Sequence, residues 1–225
     1  MGTASVIAID GPAASGKSTL ARRLAEALGY LYFDTGVMYR AVTLAALERG
    51  LPLKEDRISQ LAESMEIDVL AAPGSEPPYQ VLVDGQDVTD QLRTQQVDDN
   101  VSQISTYARV RQAMTARQRD IGMRGEVVMV GRDIGTVVLP DADLKIYLDA
   151  TVEARARRRW QELEEANGEA DFGEVLASMK SRDRIDSGRS VAPLKEAEDA
   201  VHMDNTELTI EETVENALAL VRAAN

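Results

Sequence analysis

The sequence predicts an α/β fold, with a mostly parallel central sheet covered by helices and a small antiparallel insert. Three observations predict it. The apolar stretch Val6–Ile9 runs through a Gly-rich segment into a helical pattern that ends near Leu28. Two further apolar stretches, 126–130 and 144–148, have the character of core strands, and each is flanked by a segment of helical periodicity. Between 66 and 92 the pattern changes to short strands punctuated by Pro and Gly. Strands that alternate with helices imply a parallel sheet buried on both faces, and the stretch 66–92 reads as an inserted subdomain.

The elements follow in order. After the strand at 6–9, Leu20, Ala21, Leu24, Ala25 and Leu28 recur at helical spacing. Tyr30–Phe33 reads as a short strand, and a helix is expected over 37–49, with Gly50 as its cap and Pro52 just beyond. A more polar helix follows over 54–65. Ile67–Leu70 and Tyr79–Val83 read as strands joined by a turn containing Pro73, Gly74, Pro77 and Pro78, and Asp84-Gly85 is a hairpin turn into 86–88. Helical pattern resumes over 94–105 and 108–123. The strand at 126–130 leads into Gly131-Arg-Asp-Ile-Gly135, and the strand at 144–148 leads into a charged helix at 151–166. A Gly/Asn/Asp loop near 168, a helix over 172–185 and a break at 187–190 follow. Val201–Met203 is expected to complete the sheet, and Thr209-Ile-Glu-Glu212 is a capping box that opens a last helix. The expected organisation is a core of 1–65 and 93–225, with a helical lid at 155–190 and the insert at 66–92.

Composition narrows the function classes. A net charge of −13 argues against a general binder of nucleic acid or membrane surfaces, both of which are anionic. It leaves room for a nucleotide, whose site needs only a local basic cluster. The chain has no Cys, which excludes disulfides, thiolate catalysis and Cys-ligated zinc. A single His, His202, excludes His-cluster metal sites. No apolar run approaches the length of a membrane span, and no export-signal pattern precedes the first strand, so a cytoplasmic protein is expected.

Gly11-Pro-Ala-Ala-Ser-Gly-Lys-Ser-Thr19 fits the phosphate-loop pattern G-x-x-x-x-G-K-[ST], in the strand–loop–helix context that gives the pattern meaning. Gly11 and Gly16 allow the backbone to curl its N–H groups toward an anion, and the helix start adds partial positive charge. Lys17 can reach β- and γ-phosphates, and the Ser18 hydroxyl can ligate Mg²⁺. A guanine-reading Asn-Lys-x-Asp is absent, since none of the five Lys follows an Asn. A transport ATPase would need more chain. Small-molecule phosphoryl transfer remains, with a non-catalytic nucleotide sensor as the alternative of another class.

Two arginine groups read as a mobile cover over phosphates: Arg155, Arg157, Arg158 and Arg159, and then Arg182, Arg184 and Arg189. The plainer reading, a solvated face paired with Glu162, Glu164 and Glu165, is favoured for Arg157 and Arg184, and the functional reading for Arg158 and Arg182. Arg132-Asp133 follows the strand ending at Val130, outside the carboxyl end of a parallel sheet, where ligands lie. A simple salt bridge within that turn is the alternative.

With these residues in view, the chain resembles the bacterial cytidylate kinases, nucleoside monophosphate kinases of the phosphate-loop superfamily. The matching segments are I-D-G-P-A-A-S-G-K-S-T (9–19), D-T-G-V-M-Y-R (34–40), R-T-Q-Q-V (93–97), 102–111, G-R-D-I-G-T-V-V-L-P-D-A (131–142) and R-D-R-I-D-S-G-R-S-V-A-P-L (182–194). The resemblance implies a three-layer phosphate-loop kinase fold, a monomer, and transfer of the ATP γ-phosphoryl group to CMP or dCMP with Mg²⁺. It implies that Gly11, Pro12, Ala13, Ala14, Ser15, Gly16, Lys17, Ser18 and Thr19 hold the ATP phosphates, with Ser18 on the metal. Thr35, Arg40, Arg132 and Arg189 would surround the acceptor phosphate. Ser102, Arg111 and Asp133 would read the cytosine edge. Tyr39 would line the acceptor site, Arg182 and Asp186 would reach the ribose, and Arg158 would cover the ATP side. Lys17, Arg132, Arg158 and Arg189 are thereby the expected catalytic groups. One position departs from the family: Val130 stands where a carboxylate usually precedes Gly-Arg-Asp. Mg²⁺ is then expected to depend on Ser18, the phosphates and Asp34.

Overall fold

The computed structural model describes residues 4–167, 170–189 and 191–224, so the centre of the loop near 168 and Ser190 lie outside the described residues. Five strands form the main sheet: β1 (Val6–Asp10), β2 (Leu31–Asp34), β6 (Val127–Gly131), β7 (Leu144–Asp149) and β8 (Val201–Asp204). Their order is β2-β6-β1-β7-β8, and every pairing is parallel. Ile7 to Ile9 and Val127 to Val130 are buried without alternation, as a sheet covered on both faces demands. Val201–Met203 extends the edge beside β7, as expected.

Helix α1 (Lys17–Leu28) buries Leu20, Ala21, Leu24 and Ala25, the predicted stripe. Each such leucine contributes about 2 kcal/mol of transfer free energy. Helices α2 (Gly36–Glu48), α3 (Glu55–Ser64), α4 (Gln95–Ile104) and α5 (Ala108–Gly122) follow the predicted spans to within a residue or two. The last helix, α8 (Ile210–Ala223), opens on the predicted capping box: Thr209 Oγ1 accepts from Glu212 N at 3.2 Å, and Glu212 Oε2 accepts from Thr209 N at 2.9 Å.

The small sheet is antiparallel, with β3 (Ile67–Ala71), β4 (Tyr79–Val83) and β5 (Gln86–Asp87) in that order. Asp84 (φ 48°) and Gly85 (φ 80°) are both left-handed, the geometry a two-residue hairpin turn requires. Ile67, Val69, Tyr79 and Val81 point into the main core, and the Tyr79 ring lies 5.8 Å from that of Tyr32 on β2.

A separate apolar cluster joins α6 (Val152–Asn167) to α7 (Phe172–Ser187). Ala156, Val175 and Met179 pack there with Ala13 of the Gly-rich loop, and Trp160 meets Phe172 edge-on at 6.4 Å. Arg155 corrects an expectation. It is buried, and it serves the helix pair from beneath instead of facing outward over phosphates. Its guanidinium donates to Ala13 O at 3.1 Å and to both carboxylate oxygens of Asp183 on α7, and its Nε donates to Ala150 O.

Strand register gathers the chemistry at one end of the sheet. Asp10 is opposite Gly131, and Asp34 is opposite Val130. Beyond Gly131 the chain makes a π-type turn over Ile134–Val138.

Candidate active site

The Gly-rich loop leaves β1 at Gly11. A Cβ there would lie 2.1 Å from Leu148 O, so no other residue fits the close passage beside β7. Gly16 (φ 88°) and Ala14 (φ 57°) are left-handed, and Gly16 precedes α1 with no side chain capping the helix. The first-turn N–H groups of α1 are therefore left for a ligand, and no acidic residue stands among them to oppose an anion. Lys17 is buried, and its Nζ donates to Pro12 O at 2.7 Å. Burial first, then the charge of Arg132, holds its pKa well below the usual lysine range, while Asp34 and Asp10 oppose the shift. An arriving polyanion would favour the charged ammonium and oppose that shift.

A cavity of about 340 Å³ lies over the loop, bounded by Lys17, Ser18, Thr19, Arg158 and Asn205. Arg158 donates to Asn205 Oδ1 at 3.1 Å and Asn205 O at 2.7 Å, and Asn205 Nδ2 donates to Ser15 O at 2.9 Å. Asn205 is 3% exposed and escapes sequence reasoning, because a lone Asn after a short strand carries no spacing signal. Leu208 and Ile210 add an apolar wall beside it.

Across the end of the sheet lies a second constellation. The turn salt bridge between Arg132 and Asp133 does not form: the two side chains part. Arg132 Nε donates to Asp186 Oδ2 at 2.9 Å, and Arg189 donates to the other oxygen of the same buried carboxylate. One acid thus holds two guanidinium groups side by side. Arg182 is held below the usual arginine range by the protein atoms around it first and by the Arg132 charge second, with part of its surface open to solvent. Asp133 is buried and takes Arg111 Nη2 at 2.9 Å. Burial raises its pKa and the Arg111 charge opposes the rise. The Arg111 guanidinium lies 5.6 Å from the Tyr39 ring centroid, completing a buried polar wall.

Other expected residues sit apart. Ser102 is exposed on α4, and the Arg111–Asp133 pair forms without it. Arg40 turns to Asp98 at 2.5 Å and Leu92 O at 3.0 Å, not to Asp186. Arg158 lies on the loop side, and Arg182 lies within electrostatic reach of both Arg132 and Lys17. Thr35 Oγ1 donates to Val130 O at 3.0 Å. Val130 itself is buried in the sheet, and its partner on β2 is Asp34, one oxygen of which accepts from Gly36 N.

A parallel sheet that ends in this loop, facing a second cationic pocket, defines a phosphate-loop kinase of small molecules. A gluconokinase from Sinorhizobium meliloti shares the fold, with a TM-score of 0.50 at 14% identity over 99% of this chain and 94% of that one. The sequence profile of the family described as cytidylate kinase matches residues 7–223, and the chain belongs to that family. The cytidylate kinase of Anoxybacillus flavithermus is 47% identical over 217 residues, covering 96% of this chain and 95% of its own. That of Solibacter usitatus is 48% identical over 221 residues, covering 97% and 92%. Among the described residues, no helix is long and apolar enough to cross a membrane.

Proposed function

We infer that the protein transfers the γ-phosphoryl group of ATP to CMP, giving ADP and CDP, and accepts dCMP as well. The Arg111–Asp133 pair carries this reading. It is a buried donor–acceptor edge beside the cationic pair on Asp186, at the same end of the sheet as the phosphate loop. Cytosine presents an amino donor next to acceptors. Asp133 accepts from the amine with the oxygen Arg111 leaves free, and Arg111 donates to the ring acceptors. Uracil would set a carbonyl against the Asp133 carboxylate.

The acceptor is a phosphate oxygen with a second pKa of about 6, so it is largely ionised at neutral pH and needs no strong base. Repulsion between two polyanions is the obstacle. Lys17, Arg132 and Arg189 offset it and stabilise charge spreading over the transferred group. Arg158 closes the donor side, and α6 and α7 act as the lid that keeps water out. The donor set suits Mg²⁺, which takes few protein oxygens and keeps phosphates and water. Ser18 and Asp34 would hold it directly or through water, and when bound it neutralises charge on the ATP phosphates. Among the described residues, no cluster of three or more acidic or His side chains forms an all-protein metal cage.

The test is a panel of acceptors with ATP and Mg²⁺: CMP, dCMP, UMP, AMP and shikimate, each read as ADP release. CMP and dCMP are expected to give the highest kcat/KM by about a hundredfold over AMP or shikimate. Equal turnover of AMP or shikimate, or ATP binding without transfer to any acceptor, would overturn the reading.

A further inference from the structure

Asp10 has no part in the chemistry described so far, yet it joins the two halves of the site. It is the last residue of β1, and the next residue, Gly11, begins the phosphate loop. Its carboxylate is 5% exposed, and each oxygen accepts a backbone N–H from the turn that follows Arg132-Asp133. Ile134 N donates to Oδ1 at 2.8 Å, and Gly135 N donates to Oδ2 at 2.7 Å. A Cβ at Gly135 would stand in ordinary contact with Asp10 Oδ2, at 3.4 Å, and in a tighter one with the Lys145 side chain, at 3.2 Å from Cδ.

An apolar residue at position 10 would leave two buried N–H groups unsatisfied, and Asn would offer one acceptor oxygen in place of two and set its NH₂ against the other N–H. A carboxylate in this place is costly to bury, and burial raises its pKa from 3.8 to about 6 against the pull of the two N–H bonds. The neighbouring Asp133 charge adds to that cost, and Lys17 offsets part of it. The two buried N–H groups call for an acceptor here, and the cost of burying a charge opposes it. The two bonds also fix the start of the donor loop against the start of the acceptor turn through a single short side chain.

We propose that Asp10 is a positioning residue that sets the separation between the donor loop at Gly11 and the acceptor turn at Arg132-Asp133. The proposal rests on the donor and acceptor assignments above. It acts on the reaction of the two substrates together and leaves each separate binding site intact. A displacement of about 1 Å between reacting groups costs on the order of a hundredfold in rate.

The experiment compares wild-type protein with Asp10→Asn, using ATP alone, CMP alone and an analogue in which adenosine and cytidine are joined 5′ to 5′ through five phosphates. The wild-type turnover of CMP checks the functional reading independently of the variant. In Asp10→Asn, affinities for ATP alone and CMP alone are expected to stay within about threefold. Affinity for the joined analogue and kcat are expected to fall by about thirtyfold or more. A loss of analogue binding no greater than the product of the two separate losses, or an unchanged kcat, would overturn the proposal. Thermal melting and circular dichroism establish that the variant is folded. Should it not fold, Asp10→Glu takes its place, since it keeps the carboxylate and displaces it by one methylene from Ile134 N and Gly135 N. The same pattern is then expected, and the same outcomes overturn it.

Discussion

Replacing Lys17 with Met lowers kcat by about a thousandfold, the size of effect seen when a preorganised charge is removed from a transition state. The long apolar stem of Met fills the buried path that Lys17 takes under the loop, so the fold survives. What disappears is the ammonium that now rests on Pro12 O. In the ground state the first-turn N–H groups of α1 share the hold on the ATP phosphates with Lys17, whereas the ammonium meets the charge that develops on the transferred group. ATP affinity is therefore expected to change by less than about tenfold while kcat collapses. Single-turnover kinetics with ATP titration separate the two. A kcat within tenfold of wild type would contradict this role for Lys17.

The second large effect is expected at Asp186. Its carboxylate is 3% exposed and fully occupied, with Arg132 on one oxygen and Arg189 on the other. Asp186→Ala frees both guanidinium groups and leaves two like charges side by side. kcat/KM for CMP is expected to fall by about a hundredfold or more, with ATP binding nearly unchanged. Steady-state kinetics with varied CMP check it. The resemblance assigns Asp186 to the ribose; the unliganded geometry adds the task of aligning Arg132 and Arg189. Loss of ATP affinity in step with CMP turnover would show that Asp186 holds the whole fold instead.

Most of the fold was legible because its signals are local. The helical stripe at Leu20, Leu24 and Leu28, the hairpin at Asp84-Gly85 and the capping box at Thr209–Glu212 each depend on a few neighbours in sequence. The donor loop was legible for the same reason. The contacts that complete the site were less so, because they join residues far apart in sequence. Asn205 reaches Ser15, Arg155 reaches Asp183 and Ala13, and Asp10 reaches Ile134 and Gly135. None has a periodicity or motif of its own. The arginines show the limit most clearly. Their abundance pointed to phosphates, but spacing along a helix could not tell buried Arg155, which braces α6 against α7, from Arg158, which faces the cavity. Nor could it tell that Arg132 and Arg189 converge on one acid while Arg40 leaves for Asp98.

We infer that base choice rests on one buried pair, Arg111 and Asp133. The most direct measurement is the ratio of kcat/KM for CMP over UMP in the wild-type protein and in Asp133→Asn. Asn keeps the shape of Asp and offers an N–H donor to the uracil carbonyl where the carboxylate repels it. A wild-type preference for CMP of about a hundredfold is expected, falling by about tenfold or more in the variant. An unchanged ratio in a folded, active variant would contradict it.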